Sequence, residues 1–137
     1  MTGFVLDTSV TMRWCFENTT NVYAENVPRQ LAAGRGATVP VLWRDEVAAV
    51  LAKAERGGAI VAAKSAEFLA TLEAFDITID LDGIDRIMTD VCPLAVACRL
   101  TGYDAVYLEL AQRKNLPLVT LDADLARACR AAGGTIL

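Results

Sequence analysis

The sequence predicts an α/β fold: a three-layer α/β/α sandwich built on a short, mostly parallel central sheet, in a single domain over residues 1–137. Three observations carry this expectation. Short apolar runs alternate with longer segments of helical periodicity, the pattern of parallel strands covered on both faces. A length of 137 residues suits one compact domain and is too short for two full cores. A composition that is 54% hydrophobic and 22% charged supplies a core and excludes a disordered chain.

Phe4-Val5-Leu6 is a short apolar run and reads as a fully buried strand. Ser9 to Phe16 reads as a short helix, residues 18–21 as a polar loop, and Val22 to Ala33 as a helix that Pro28 kinks or bounds. Gly34-Arg35-Gly36 is a turn into a second strand, Ala37-Thr38-Val39, stopped by Pro40. From Leu42 to Arg56 the apolar residues Trp43, Val47, Val50, Leu51 and Ala54 follow helical spacing, and Gly57-Gly58 ends the helix. Ile60 to Phe75 is the next helix, and Ile77-Thr78-Ile79 the third strand. Ile84 to Leu100 is helical in pattern with Pro93 interrupting it, and Gly102 breaks the chain before a helix over Asp104 to Lys114. Leu118 to Leu121 is the clearest strand, followed by a helix made amphipathic by Leu125, Ala128, Cys129 and Ala132 and ended by Gly133-Gly134, and a short last strand at Thr135-Ile136-Leu137.

Several function classes drop out on composition. No histidine occurs, which removes serine and cysteine triads, histidine acid–base catalysis and most zinc enzymes. A hydrolase of this composition leans on carboxylates, lysine, or a metal held by oxygen. The four cysteines (Cys15, Cys92, Cys98, Cys129) form no Cys-x-x-Cys pair and read as small buried hydrophobes in a reducing compartment. No basic leader precedes Phe4, and no apolar stretch reaches the roughly 20 residues that span a bilayer, so a cytoplasmic protein without a membrane partner is expected. Asn18-Thr19-Thr20 matches a glycosylation acceptor, a match without meaning in such a protein. A net charge of −4 runs against a nucleic-acid partner unless some of the carboxylates are metal ligands.

Four of the seventeen acids occupy unusual places. Asp7 ends the first strand and Asp122 follows the Leu118 strand, where open parallel sheets bind their ligands. Glu46 lies within the apolar stripe of its helix, and Asp104 shares a helix face with Leu108 and Ala111. Each has a bland reading. Asp7, Asp104 and Asp122 could be helix caps (with Ser9 an equal candidate for the first), and Glu46 could snorkel to water. Asp45 is better placed for solvent, and Asp124 competes with Asp122. Taken together, the four would converge on one edge of the sheet as a hard, all-oxygen site of the kind that selects Mg²⁺ or Mn²⁺.

Val5-Leu6-Asp7-Thr8-Ser9-Val10, Pro40-x-x-Trp43-x-x-Glu46-Val47, the run Tyr103-Asp104-Ala105-Val106-Tyr107-Leu108-Glu109-Leu110-Ala111, and Leu118-Val119-Thr120-Leu121-Asp122-x-x-Leu125 occur in this order. In these segments the chain resembles PIN domains and, within them, the VapC-type toxins of bacterial toxin–antitoxin pairs. The resemblance implies a catalytic and metal-binding quartet of Asp7, Glu46, Asp104 and Asp122, supported by Ser9 and Thr120. It implies a Mg²⁺ cofactor (Mn²⁺ substituting), with Asp7 and Asp104 as direct ligands and Glu46 and Asp122 acting directly, through water, or on the nucleophile. It further implies an RNA substrate cut to leave a 5′-phosphate and a 3′-hydroxyl, a cognate antitoxin and a homodimer. Pro93 departs from the family pattern, which has an unbroken helix there. Arg13 and Arg44 are candidates for the RNA backbone, each with a solvated surface arginine as the alternative. A catalytically silent PIN-like module that binds RNA or protein is the competing function. A haloacid-dehalogenase-type phosphatase would need a second aspartate where Ser9 stands, and a receiver domain's acceptor aspartate and later lysine are not visible.

Overall fold

The computed structural model describes residues 3–16 and 21–137, so the first two residues and all but Asn21 of the loop expected at residues 18–21 lie outside the described part. Four parallel strands, β1 (Phe4–Leu6), β2 (Ala37–Pro40), β3 (Ile77–Asp80) and β4 (Leu118–Val119), form one sheet in the order β3-β2-β1-β4. Phe4 pairs with Ala37 and Val5 with Leu118, so β1 is central. All three β1 residues are fully buried, which requires cover on both faces of the sheet. The helices are α1 (Thr8–Thr11), α2 (Val22–Ala32), α3 (Val41–Arg56), α4 (Ala62–Ala74), α5 (Cys92–Cys98), α6 (Gly102–Lys114) and α7 (Ala123–Ala131). The α6 helix packs across β1, β2 and β4 and carries Tyr107, Leu108 and Leu110 into the core.

The differences from the sequence reading have local causes. The fourth strand stops at Val119, not Leu121, because the next residues leave the ladder for side-chain partners: Leu121 donates its amide to Ser9 Oγ at 3.0 Å. Thr135-Ile136-Leu137 contributes one parallel bridge, Ile136 to Leu118, rather than a full strand. Pro28 does not bound its helix. Proline cannot donate to the carbonyl four residues earlier, and the Trp14 indole takes that place, donating to the Ala24 carbonyl at 2.8 Å.

The stretch around Pro93 is broken into a 3₁₀ turn (Asp82–Arg86), a π turn (Ile87–Val91) and α5, with Pro93 in the first turn of α5, where a missing amide costs nothing. Gly102 does not break the chain; it opens α6. The break lies at Arg99, whose φ of 55° ends α5 in the left-handed region. The expected helix from Ile60 to Phe75 is shorter at both ends, since α4 covers Ala62–Ala74. All four cysteines are free, but only Cys15 and Cys129 are buried, and Cys92 is exposed.

Candidate metal centre

The chain leaves β1 towards β2 on one side, whereas the segment after β4 returns along the opposite edge through Ile136. The carboxyl ends of β1 and β4 therefore flank the topological switch point, where open parallel sheets form their ligand crevice. Asp7 and Asp122 stand at those two ends.

Asp7 is buried, and its backbone amide closes the β1–β4 ladder on the Val119 carbonyl at 3.0 Å. It occupies the N-cap position of α1, yet its side chain caps nothing. The carboxylate instead accepts from Ser9 Oγ and Thr120 Oγ1, each at 2.7 Å and both on Oδ2. Ser9 is no cap either, because its hydroxyl is spent on Asp7 and on the Leu121 amide. Ser9 and Thr120, the two polar residues singled out beside the acids, both hydrogen-bond to Asp7. Burial pushes the Asp7 carboxyl above its ordinary range, the two hydroxyls pull against that shift, and the charge of Asp122 adds to it.

Asp104 lies in the first turn of α6, but the cap there is Thr101, whose Oγ1 accepts the Asp104 amide at 3.1 Å. The Asp104 carboxylate is therefore free of capping duty. Burial, the charges of Asp122 and Asp7, and more weakly that of Glu46 push it up to about 6. Burial is the largest cause, and the three neighbouring acids add to it without a positive charge that opposes them. Asp122 is the member for which the cap reading holds as well: its Oδ1 accepts the Leu125 amide at 2.8 Å and starts α7. Asp124 stays on the surface, paired with Arg127 at 3.3 Å.

Glu46, half-buried in α3, accepts from the Tyr107 hydroxyl at 2.5 Å and from Thr8 Oγ1 at 3.1 Å, both on Oε1. Burial raises its pKa, the two hydroxyls lower it, and Asp7 raises it again. Neither Thr8 nor Tyr107 was singled out from the sequence. The available signal was that Tyr107 lies one helical turn beyond Asp104. Arg13 is exposed on the turn after α1, and Arg44 lines a groove with Phe75, Ile77 and Ile79 at the far β3 edge.

The donor set suits a hard divalent cation: every group is an oxygen, the four acids act on one another through their charges, and among the described residues no ion pair joins any of them to a lysine or arginine. Among the described residues, no group of three or more carboxylates is gathered closely enough to hold a metal ion, so the four acids are neighbours by their charges and not a formed cage. A second acidic network lies at the end of β3. Asp80 accepts from Arg113 at 2.6 Å and from the Gly83 amide at 3.0 Å, and Arg113 also bonds Glu109 at 2.7 Å. The sequence reading did not find this triad. It also makes Glu109 a buried, paired residue.

Fold and site together define an α/β protein with an all-oxygen acidic crevice at the switch point of a parallel sheet. The PIN domain family model matches residues 4–131, and the chain belongs to that family. Among solved structures it is similar to PAE2754 from Pyrobaculum aerophilum, at 25% identity and a TM-score of 0.72, covering 98% of this chain and 83% of that one. It also resembles VapBC2 from Rickettsia felis, solved bound to a DNA fragment from its promoter, at 13% identity and a TM-score of 0.71, covering 100% of this chain and 98% of that one. A third likeness is to a toxin–antitoxin complex from Klebsiella pneumoniae, at 19% identity and a TM-score of 0.61, with 90% and 91% coverage. No curated protein sequence matches the chain. No helix among the described residues is long and apolar enough to cross a membrane.

Proposed function

We propose that this chain is a metal-dependent endoribonuclease and the toxin of a type II toxin–antitoxin module. The observation that carries the reading is the acid cluster at the ends of β1 and β4, in which burial, and after it the charges of Asp122, Asp7 and Glu46, push Asp104 up to about 6. Membership of the PIN family and the likeness in fold to two toxin–antitoxin assemblies support the choice of substrate and partner.

In this reading Asp7 and Asp104 hold Mg²⁺ or Mn²⁺, with Glu46 and Asp122 completing the site directly or through water. Such an ion supplies Lewis acidity, activating water and offsetting charge at the phosphodiester. The chain's own residues do the rest. Ser9 and Thr120 lock Asp7 by its Oδ2. Asp122 is fixed by its cap on α7, and Asp104 projects from the start of α6. With no histidine in the chain, the route through the RNA 2′-hydroxyl lacks its usual acid and base, so attack by water and a 5′-phosphate product are expected.

The cognate antitoxin would lay a segment across the crevice, an arginine among the carboxylates being the matching chemistry. A homodimer is the proposed assembly. Its support is the run of exposed apolar side chains Ile84, Ile87, Met88, Val96 and Tyr103 around a cavity of about 620 Å³ between α3, α5 and α6. Light scattering at micromolar concentration should give twice the chain mass.

The deciding experiment incubates the purified chain with RNA in Mg²⁺, Mn²⁺ or chelator and maps the product ends. Cleavage confined to the metal-containing reactions, with 5′-phosphate ends, is expected. Cleavage that persists in chelator would overturn the proposal. Mn²⁺ that binds without any RNA cleavage would favour the silent binding module instead.

A further inference from the structure

The α3 glutamate is the one quartet member whose orientation rests on a tyrosine. Tyr107 is 1% exposed, and its hydroxyl lies 2.5 Å from Glu46 Oε1 and 2.8 Å from Thr8 Oγ1. Thr8 Oγ1 is also 3.1 Å from the same Oε1. Three oxygen–oxygen contacts share two hydroxyl protons. The shortest contact, hydroxyl to carboxylate, takes the tyrosine proton. The threonine proton then goes to the nearer acceptor, the tyrosine oxygen. The result is a directed chain, Thr8 to Tyr107 to Glu46, in which each hydrogen bond polarises the next.

Packing alone does not require this chain. Phenylalanine at 107 would fill the same volume without burying a hydroxyl, and a neutral residue at 46 would avoid a half-buried charge, so the pair costs stability relative to an apolar alternative. Both hydroxyl contacts fall on Oε1, with Tyr107 the donor, and Oε2 carries no hydrogen bond from the described residues, so one oxygen is anchored and the other is left to work.

We infer that Tyr107, backed by Thr8, is a positioning residue for RNA cleavage, holding Glu46 by Oε1 so that Oε2 serves the acidic crevice. The inference rests on the nuclease reading above. Tyr107 does not touch RNA, being buried, and acts only through Glu46.

The test compares the wild-type chain with Tyr107→Phe, Thr8→Val and Thr8→Ser, measuring melting temperature, Mn²⁺ affinity by electron paramagnetic resonance, and kcat and KM on RNA. Tyr107→Phe should melt at or above the wild-type temperature while Mn²⁺ affinity or kcat falls roughly 10- to 100-fold, as for other partners that orient metal-site ligands. Its KM should be unchanged. Thr8→Val should lose roughly two- to fivefold, and Thr8→Ser, which keeps the hydroxyl, should restore the wild-type value. A folded Tyr107→Phe with wild-type Mn²⁺ affinity and kcat overturns the inference. If that variant does not fold, Thr8→Val decides, and identity with the wild type in both readouts overturns it. A wild-type chain that neither binds Mn²⁺ nor cleaves RNA instead strikes down the nuclease reading, and this inference with it.

Discussion

Asp7 and Asp80 each stand at the carboxyl end of a parallel strand, and both are buried, yet their surroundings differ in one respect. Burial pushes Asp80 up, but the hydrogen bonds and charge of Arg113 outweigh it and hold the carboxyl below its ordinary range. At the Asp7 site neutral hydroxyls and a backbone amide answer the burial, the charges that act on these acids are negative, and Asp7, Glu46 and Asp104 are all raised. The β3 group closes its electrostatics within the chain and so serves the fold. The β1–β4 group leaves negative charge unanswered, which a cation from solution can answer. Paired and unpaired acids on one sheet thus separate architecture from chemistry more sharply than burial does.

The comparison can be broken first at the paired site. Arg113→Met strands Asp80 and Glu109 without their cation, and a loss of about 3–5 kcal/mol is expected by chemical denaturation; a loss within experimental error would mean that the triad is not structural. At the unpaired site the expectation reverses. Asp104→Asn should lower RNA cleavage by roughly 10²–10³-fold while raising the melting temperature of the metal-free protein, because one mutually repelling charge is gone. Cleavage at the wild-type rate by a folded Asp104→Asn variant would remove Asp104 from the site.

Metal sharpens the contrast. Mn²⁺ at about a hundred times its dissociation constant should stabilise the protein by roughly 2.7 kcal/mol, and Asp7→Asn should weaken that response whereas Arg113→Met should keep it. A melting curve unmoved across the titration would count against the centre. The smallest effect is on pH. A carboxylate raised in the folded state contributes stability that is complete below its unfolded pKa and lost as pH rises through the folded one. For Asp104 the window runs from 3.8 to about 6. Asp80, lowered in the folded state, acts oppositely, its contribution being lost as pH falls below 3.8. Metal-free wild type should therefore lose stability across the Asp104 window relative to Asp104→Asn; parallel curves would contradict the shift.

Much of this was legible in the chain. Phe4-Val5-Leu6 could only be a covered strand, and an acid directly after it pointed to the sheet edge where Asp7 lies. Glu46 stood out because a charge in an apolar stripe needs a partner, but that the partner would be Tyr107, 61 positions away, no spacing could tell. The Asp80–Arg113 pair, 33 positions apart, was hidden for the same reason. The length of β4 misled because Thr120 and Leu121 are apolar enough in context to continue a strand, and a side-chain network drew them off it. Capping was over-read at Asp7 and Asp104, since sequence marks where a cap can stand and not which of two neighbours takes the amide.

The shared hydrogen bond of Thr120 and Asp7 joins positions 113 apart. A nascent chain can pair β1, β2 and β3 once Asp80 has emerged, but the second flank of the crevice arrives only with β4 and Asp122. Local contacts form early and distant pairings late, so the acidic crevice is assembled after most of the domain has folded. A ribosome-bound fragment that stops short of Leu118 holds three strands and no complete centre. In a chain proposed to cut RNA, the full set of acids is therefore present only once nearly the whole domain has been made.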